Sequence, residues 1–434
     1  MNTGLADAIG QAGWSMAAVA RAVNEAGRES GRPLLHGATA VAHWLTGAVP
    51  RSDTVLAATQ AFTRRLGRDV SAADLGWPCT SLDPVDPWEG DPVAVLAALG
   101  EDDMLNRRTA LTAGLYSLAA LGLPESPAWA GERAGATRRA GPGDVDRIRE
   151  MTRRLADADE LYGGGHARAA VAAYLTHEVT PLLRGATGKA RPDLFRAAAE
   201  VAYLAGWMAA DAGAAGLAQR YYVQAVRLGE EAADPLVRAA GLRSMAVQAV
   251  EFGHATQGLA LADAAAAGLR QGCPARTRAW ITGMRAEANA AAGNRCQARN
   301  LLRLAERDLE RADSIPESQW AGAYRRESLE HQAGLTLTAL GDLPSAEGHL
   351  AASAGSRRTV ERRARTLIGA RLANVQLQRG EPEAAAVTVL GLRDDLVSVS
   401  SARVTGHLRA LRAAWVPYRA EPQVGDADRF LATL

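Results

Sequence analysis

Six glycines at nearly regular spacing constrain this chain more than any other feature. They are Gly165, Gly213, Gly253, Gly293, Gly341 and Gly380, at successive spacings of 48, 40, 40, 48 and 39. The fifth residue after each is small (Ala170, Ala218, Gly258, Ala298, Ala346, Ala385), as is the seventh before it (Ala158, Gly206, Ala246, Ala286, Gly334, Ala373). Small side chains let antiparallel helices cross at about 8–10 Å, and glycine permits the left-handed turn between them. The pattern therefore predicts stacked helical hairpins.

A larger side chain usually stands nine residues after the glycine, at Tyr174, Tyr222, Leu302, Leu350 and Val389, with Ala262 as the exception. We expect these residues to fill the groove towards the next hairpin. Aromatic residues make up only 5% of the chain, and Ala, Leu, Arg and Glu are abundant, which favours an all-α fold. The order small, glycine, small, bulky resembles the tetratricopeptide repeat. The spacing near 40 exceeds that family's roughly 34 residues, so HEAT-like pairs and a plain helical bundle are the alternatives.

The sequence divides into four parts. Residues 1–78 form a small helical domain, residues 79–143 an acidic linker with a connecting helix, 144–416 an array of about six hairpins, and 417–434 a tail. Segment 93–99 (VAVLAAL) could form a short helix within the acidic stretch. Arg107-Arg108 before the apolar run 110–123 resembles a twin-arginine export signal. Its internal position and its fourteen residues, against about 20 needed to span a bilayer, favour a buried connecting helix.

Helices are expected in the first domain at 3–12, 15–26, 38–46 and 52–66, with a further short one at 71–75. The order Trp44-Leu45-Thr46-Gly47, Pro50-Arg51-Ser52, then Val55, Leu56 and Phe62 resembles the XRE-type, lambda-repressor-like helix-turn-helix domain. The resemblance implies that 38–46 is a recognition helix entering the major groove. Ala38, Thr39 and His43 would then face bases, and Ser15, Arg32 and Arg51 would lie near phosphates. Because seven arginines stand against six acids, a dimerisation domain that does not bind DNA is the alternative.

A tetratricopeptide-like array would present the first helix of each hairpin on a concave face. Counting back from the turn glycines predicts nine ligand-binding residues in this groove: Tyr203, Trp207, Asp211, Arg243, Glu251, Glu287, His331, Asn374 and Gln378. Such a mixture suits a peptide or a small molecule. A basic run, Arg357, Arg358, Arg362, Arg363, Arg365 and Arg371, is expected to be a hydrated surface or a site for the acidic segment 79–103.

Motifs for catalysis, metal binding and nucleotide binding are not found in the sequence, so we expect no enzyme activity, no cofactor and no metal site. Cys79, Cys273 and Cys296 are far apart and odd in number, which favours neither disulfides nor zinc. The formal net charge is +1, and the amino-terminal segment lacks a basic-then-apolar leader. A cytoplasmic protein without a membrane segment is expected.

The two resemblances together are typical of actinobacterial helix-turn-helix/tetratricopeptide transcriptional regulators and, more distantly, of the peptide-sensing RRNPP regulators. They imply a homodimer that binds double-stranded DNA, with an all-α fold of a lambda-repressor-like domain followed by a right-handed tetratricopeptide-like solenoid. A peptide or small-molecule effector in the concave groove would alter DNA affinity. The alternative function is a scaffold or co-regulator that binds a partner protein and does not touch DNA.

Overall fold

A computed structural model describes residues 2–29, 34–68, 70–77, 88–105, 121, 141–269, 273–313 and 324–434. These residues form helices, turns and loops and include no strand, which confirms the all-α, solenoid-type fold. The helices before the array are α1 Thr3–Ala12, α2 Met16–Glu29, α3 Ala38–Leu45, α4 Ser52–Leu66 and α5 Pro92–Leu105. The array begins with α6 Pro142–Tyr162, α7 Gly164–Tyr174, α8 Thr180–Arg184, α9 Ala190–Asp211, α10 Ala215–Glu231, α11 Pro235–Glu251, α12 Ala255–Ala267, α13 Ala275–Ala291 and α14 Arg295–Glu310. It continues with α15 Arg326–Ala339, α16 Leu343–Ser356, α17 Arg362–Gln378, α18 Pro382–Leu390, α19 Arg393–Ser398, α20 Ala402–Ala414 and α21 Pro422–Leu431.

Helices α1 to α4 enclose a small hydrophobic core of their own. Val41 and Trp44 of α3 are buried in it, and the Trp44 ring meets the Trp77 ring edge-on at 6.1 Å between centroids. The backbone from Ser71 to Trp77 reaches this core as a series of turns, so the expected helix at 71–75 is not formed. Asn2 fastens these turns to α1, because its side chain donates to the Leu75 carbonyl at 2.8 Å and accepts from the Leu5 amide at 3.0 Å.

Helix α5 extends beyond the predicted 93–99 and packs on the array against α7, α8 and α10. Asp103 near its end is buried and bonded to Arg168, while the Tyr221 hydroxyl donates to the same carboxylate at 3.2 Å. Arg227 donates to the backbone carbonyls of Glu89 and Gly90. The described end of the acidic segment, residues 88–103, therefore contacts arginines of the first hairpins, whereas residues 79–87 lie outside the described residues. The Arg107-Arg108 segment lies outside the described residues.

Five of the six predicted turn glycines end the first helix of a hairpin in the left-handed conformation. Gly213, Gly253, Gly293, Gly341 and Gly380 have φ between 77° and 82°. The prediction for Gly165 was wrong, because Gly163 (φ 84°) makes that turn and Gly165 belongs to α7. A Cβ on Gly163 or Gly165 would collide with Ser400, so both glycines also permit a close approach of distant backbone.

The small residues seven positions before the turn lie where the two helices of a hairpin cross. A Cβ on Gly206 would be 2.7 Å from the Tyr222 ring, and one on Gly334 would be 2.6 Å from Leu350. Tyr222 and Leu350 are the bulky residues nine positions after their glycines, so they cover the small residue of their own hairpin rather than only the groove to the next. The repeated small and bulky residues in the sequence therefore correspond to contacts within each hairpin.

The array closes on itself, because α6 packs against α17 and α9 packs against α20. Around the turn between α6 and α7, the Ser400 amide donates to the Tyr162 carbonyl at 2.8 Å, and the Gly165 amide donates to the Ser400 carbonyl at 3.2 Å. Asp211 joins both sides, accepting from the Gly164 amide at 2.9 Å and from the Ser401 hydroxyl at 2.7 Å. We call Tyr162, Gly164, Gly165, Asp211, Ser400 and Ser401 the closing seam. Because the seam joins the two ends of the array, the first helices form a ring around a cavity and do not line an open groove.

The residues after 416 are not a tail, which corrects the proposed division of the chain. Helix α21 packs against α18 and buries Val424 and Phe430. Asp428 of α21 accepts hydrogen bonds from Arg412 Nε at 2.9 Å and from the buried Trp415 Nε1 at 3.2 Å. The helix therefore completes a final hairpin with α20. Within the described ranges, every helix is too short or too polar to cross a bilayer.

Candidate functional site

The first helices of the hairpins surround a cavity of about 500 Å³. Its walls come from α6, α9, α11, α13, α15, α17 and α20, so it lies inside the closed ring. Six of the nine residues predicted for the groove line it: Tyr203, Trp207, Arg243, Glu251, Glu287 and His331. The cavity is thus the point where helices distant in sequence bring polar and aromatic side chains together.

The other three predicted residues lie away from the cavity lining. Asp211 is fully buried in the closing seam, where both of its oxygens accept hydrogen bonds. Asn374 donates to the carbonyls of Ala370 and His407 and so joins α17 to α20. Gln378 is exposed at the end of α17. These three residues lie close to the turn at the end of the first helix. There the helix packs against its neighbours and no longer faces the cavity.

Glu251 is the centre of a charged network that crosses the cavity wall. Arg371 Nη2 donates to Glu251 Oε1 at 2.7 Å, and Arg403 bonds to the same oxygen. Although removal from bulk water acts in the opposite direction, the guanidinium groups of Arg403 and Arg371 lower the pKa of Glu251. One carboxylate therefore holds two arginines, which stand 120 and 152 positions further along the chain.

Two histidines complete the surroundings of Arg371. Its Nη1 lies 2.7 Å from His331 Nε2, and its Nε lies 3.4 Å from His407 Nε2. Burial, reinforced by Arg371, lowers the pKa of His331 well below its ordinary value and that of His407 to about 4. Both rings are therefore neutral near pH 7, and their nitrogens can accept hydrogen bonds from the guanidinium group.

Arg363 and Arg403 lie over the Trp207 ring, at 5.2 and 5.5 Å from its centroid. Arg363 also forms ion pairs with Asp159 and Glu160 of α6, which link the last repeats to the first. Burial raises the pKa of Asp159 to about 7, with Arg363 opposing the shift. The ring closure and the cavity therefore share the same side chains.

Only part of the basic run is a hydrated surface, which corrects the sequence expectation: Arg363 and Arg371 are buried, while the Arg358 side chain is 66% exposed. Arg357, Arg358, Arg363 and Arg371 line the cavity. Arg362 and Arg365 form ion pairs with Asp395, at 3.7 and 3.3 Å. On α17, Arg363 and Arg371 therefore lie on the face towards the cavity, and Arg362 and Arg365 lie on another face. Residues three or four apart on a helix share a face.

Several cavity residues were not among the predicted ones: Trp280, Tyr324, Gln332, Arg363, Arg371 and Arg403. Gln332 of α15 accepts from Arg243 Nη2 at 3.2 Å and donates to Glu287. Burial raises the pKa of Glu287 to about 7, while Arg371 opposes and Glu251 reinforces the shift. Gln332 directly follows His331 on α15. A count of nine residues back from Gly341, in addition to ten, would have included it. Tyr324 precedes α15 and has no place in the repeat pattern.

A second depression of about 470 Å³ lies between α14, α15 and α16. Most of its charges already have partners: Arg326 pairs with Glu306 and Glu330, His349 with Glu330, and Arg299 with Asp342. Among the residues placed by the structure, no group of three or more His, Cys, Asp or Glu has the arrangement of a metal site. The cavity inside the ring is therefore the candidate ligand site.

In the first domain, α3 places Ala38, Thr39 and His43 on its exposed side, opposite the buried Val41 and Trp44. The helix begins at Ala38 and is one residue shorter at its end than predicted. Thr39 and His43 share one face because they are four residues apart on the helix, and Ala38 stands exposed at its start. Within the described first domain, this exposed face can therefore contact another molecule.

The predicted phosphate contacts occupy helix starts. The Ser15 hydroxyl accepts from the Ala18 amide at 3.2 Å at the beginning of α2, and Arg51 is exposed immediately before α4. Arg32 lies outside the described residues. Asn24 of α2 holds the chain entering α3, donating to the His36 carbonyl at 2.9 Å and accepting from its amide at 2.8 Å. His36, just before α3, is thereby held against α2.

Comparison with known proteins gives a match for the first domain alone. Residues 5–78 match the family described as the SP15 N-terminal domain. The match covers α1 to α4 and the turns up to Trp77, and it leaves the array unassigned. A search among curated proteins gave no match to the chain.

Proposed function

We propose that the chain is a ligand-responsive, DNA-binding transcriptional regulator whose array binds a small molecule inside the ring. The observation that carries the proposal is the cavity itself, where Arg243, Glu287 and His331 from three different hairpins meet around one volume. A concave site lined by apolar side chains and a few convergent polar groups is the usual form of a ligand pocket.

A small molecule fits this cavity better than an extended peptide. A volume of about 500 Å³ is within the range typical of drug-sized ligands. An extended peptide advances by about 3.3 Å per residue and needs a groove open at both ends. The closing seam joins the first and last repeats across that groove. The effector expected from the sequence is therefore narrowed to the small-molecule class.

The DNA-binding half of the proposal is supported by the exposed face of α3 and by the resemblance of the first domain to XRE-type helix-turn-helix domains. Thr39 can contact a thymine methyl group or a base edge, and His43 a base edge or a phosphate. In a homodimer, a ligand that favours one curvature of the ring would alter the distance between two such domains. DNA affinity would then change without a new contact to any base.

Gel shifts on sheared genomic fragments at low and raised salt test the DNA-binding half. We expect binding that weakens with salt and is lost in the His43→Ala and Arg51→Ala variants. Arg68→Ala is the matched control for Arg51→Ala, because it removes an exposed arginine near the other end of α4, about 22 Å away along the helix axis. Absence of binding at low salt, or an equal loss in Arg68→Ala, would refute DNA binding through this face.

A scaffold or co-regulator that binds a partner protein is the second candidate. The observation favouring it is the balance of seven arginines against six acids in residues 1–78, which gives little attraction to phosphate. Affinity capture with the full chain as bait, compared with the His43→Ala variant, distinguishes the two. A partner retained by both proteins, together with no gel shift for either, would favour the scaffold.

A further inference from the structure

Arg243 differs from the other arginines at the cavity wall. The structure places seven arginines there, and six have a carboxylate within 4 Å: Arg153, Arg357, Arg358, Arg363, Arg371 and Arg403. Arg243 forms no such ion pair within the described chain. Its Nε donates to the Trp280 carbonyl at 3.3 Å and its Nη2 to Gln332 Oε1 at 3.2 Å, and both acceptors are neutral.

The position of Arg243 is fixed although its charge is not paired. Its Cζ lies 4.5 Å from the centroid of the Trp280 ring, and the residue is 9% exposed. Two hydrogen bonds and the ring hold the guanidinium plane, while Nη1 has no hydrogen-bond partner within the described chain. A buried cation without a direct ion pair is costly, and an anion supplied by a ligand would relieve that cost.

Tyr324 provides a second group at the same place. The residue is 4% exposed and its hydroxyl has no hydrogen-bond partner among the described residues. It belongs to the cavity lining, where burial, opposed by Arg243 and reinforced by Glu287, raises the pKa of the hydroxyl. A buried hydroxyl without a partner is unusual in native proteins, and an acceptor atom of a ligand in the cavity would satisfy it.

The wall next to this polar end is apolar. Val247 lies one turn beyond Arg243 on α11, and Leu335 lies one turn beyond Gln332 on α15. Leu204 and Leu367 contribute from α9 and α17. A ligand that bonds to Arg243 would therefore have its remaining atoms against hydrocarbon side chains.

We propose that the cavity binds a small organic acid, with its carboxylate bonded to Arg243 and Tyr324 and its apolar part against Val247 and Leu335. The inference rests on the proposed function, because it names the class of ligand for the same cavity. One guanidinium and one hydroxyl match a single carboxylate in charge and in number of donors. A phosphate dianion would bring a second negative charge close to Glu287 and Glu251.

The test uses the full chain and a set of small monocarboxylates, each paired with its primary amide, beginning with 3-phenylpropanoate and 3-phenylpropanamide. Binding is measured by saturation-transfer NMR across the set and by calorimetry for those that bind. We expect the acids to bind and the amides to bind at least about 10-fold more weakly, because the charge-assisted bond to Arg243 is lost. Tyr324→Phe removes only the hydroxyl and should weaken acid binding about 5- to 10-fold.

Arg243→Gln should weaken acid binding about 10- to 100-fold, while Arg238→Gln should leave it unchanged, because Arg238 of the same helix lies outside the cavity lining and is paired with Glu230. Thermal melting of each variant verifies folding, and Tyr324→Phe keeps the test decisive if Arg243→Gln does not fold. Amides that bind as tightly as acids, or acids that bind equally to Tyr324→Phe and wild type, would overturn the ligand class and leave the cavity as a ligand site. If no member of the set binds and no small molecule is released on denaturing the purified protein, the cavity fails as a ligand site as well.

Discussion

Asp211 gives the sharpest test of ring closure, because its side chain bonds to both sides of the seam. The residue is fully buried, with Oδ1 accepting from the Ser401 hydroxyl at 2.7 Å and Oδ2 accepting from the Gly164 amide at 2.9 Å. Ser401 also caps α20, since its hydroxyl accepts from the Val404 amide. The perturbation is Asp211→Ala, which removes both acceptors and leaves two buried donors without partners.

The expected loss follows from these two bonds. A hydrogen bond to a charged group contributes about 1.5–3 kcal/mol, so loss of both bonds in Asp211→Ala should lower the free energy of unfolding by about 3–6 kcal/mol. Asp211→Asn keeps one acceptor oxygen and should lose about half as much. Asp263→Ala is the matched control, because Asp263 has one ion pair with Arg285 and its side chain is 49% exposed. Such a surface pair contributes less than about 1 kcal/mol.

Urea denaturation measures the free energy, and hydrogen exchange followed by mass spectrometry measures the seam itself. The amides of Gly165 and Ser400, which bond across the seam, should exchange faster in Asp211→Ala and unchanged in Asp263→Ala. Small-angle scattering should give a larger radius of gyration for Asp211→Ala if the ring opens. Surface substitutions usually change stability by about 0.5 kcal/mol or less, so a stability within about 0.5 kcal/mol of the control, with unchanged exchange at both amides, would refute the role of the seam.

Two further predictions concern the cavity carboxyl and the helix crossing. Because burial raises the pKa of Glu287 from 4.5 to about 7, its protonated form stabilises the fold fully below about pH 4.5, and this contribution of about 3 kcal/mol is lost as pH rises through 7. The Tm of the Glu287→Gln variant should therefore fall less between pH 5 and 8 than the Tm of the wild type. An equal fall in both proteins would contradict the raised pKa of Glu287. Gly206→Ala should destabilise by about 1–3 kcal/mol, because its Cβ would be 2.7 Å from the Tyr222 ring. In contrast, Gly348→Ala in open space should stabilise by up to about 1 kcal/mol, and urea midpoints moving in the same direction would disprove the crossing argument.

The candidate site was partly readable from the sequence. Tyr203, Arg243 and His331 could be located because each has a fixed offset from a turn glycine, and a helix turns by a constant angle per residue. Tyr324 and Arg403 could not be located in the same way, because Tyr324 stands before its helix and Arg403 belongs to a last hairpin that has no predicted turn glycine.

The sequence by itself determined the hairpins, because their crossing contacts, such as that of Gly206 with Tyr222, join consecutive helices and repeat at each turn glycine. Only the tertiary structure decided that the array closes, since closure sums a small rotation at every hairpin and no single local pattern encodes the sum. The contact between Asp211 and Ser401, 190 residues apart, is the outcome of that sum. Because the array closes, Arg363 and Arg371, which were expected on the surface, line the cavity. Local spacing therefore specified the repeats, and the angle accumulated along the array specified the site.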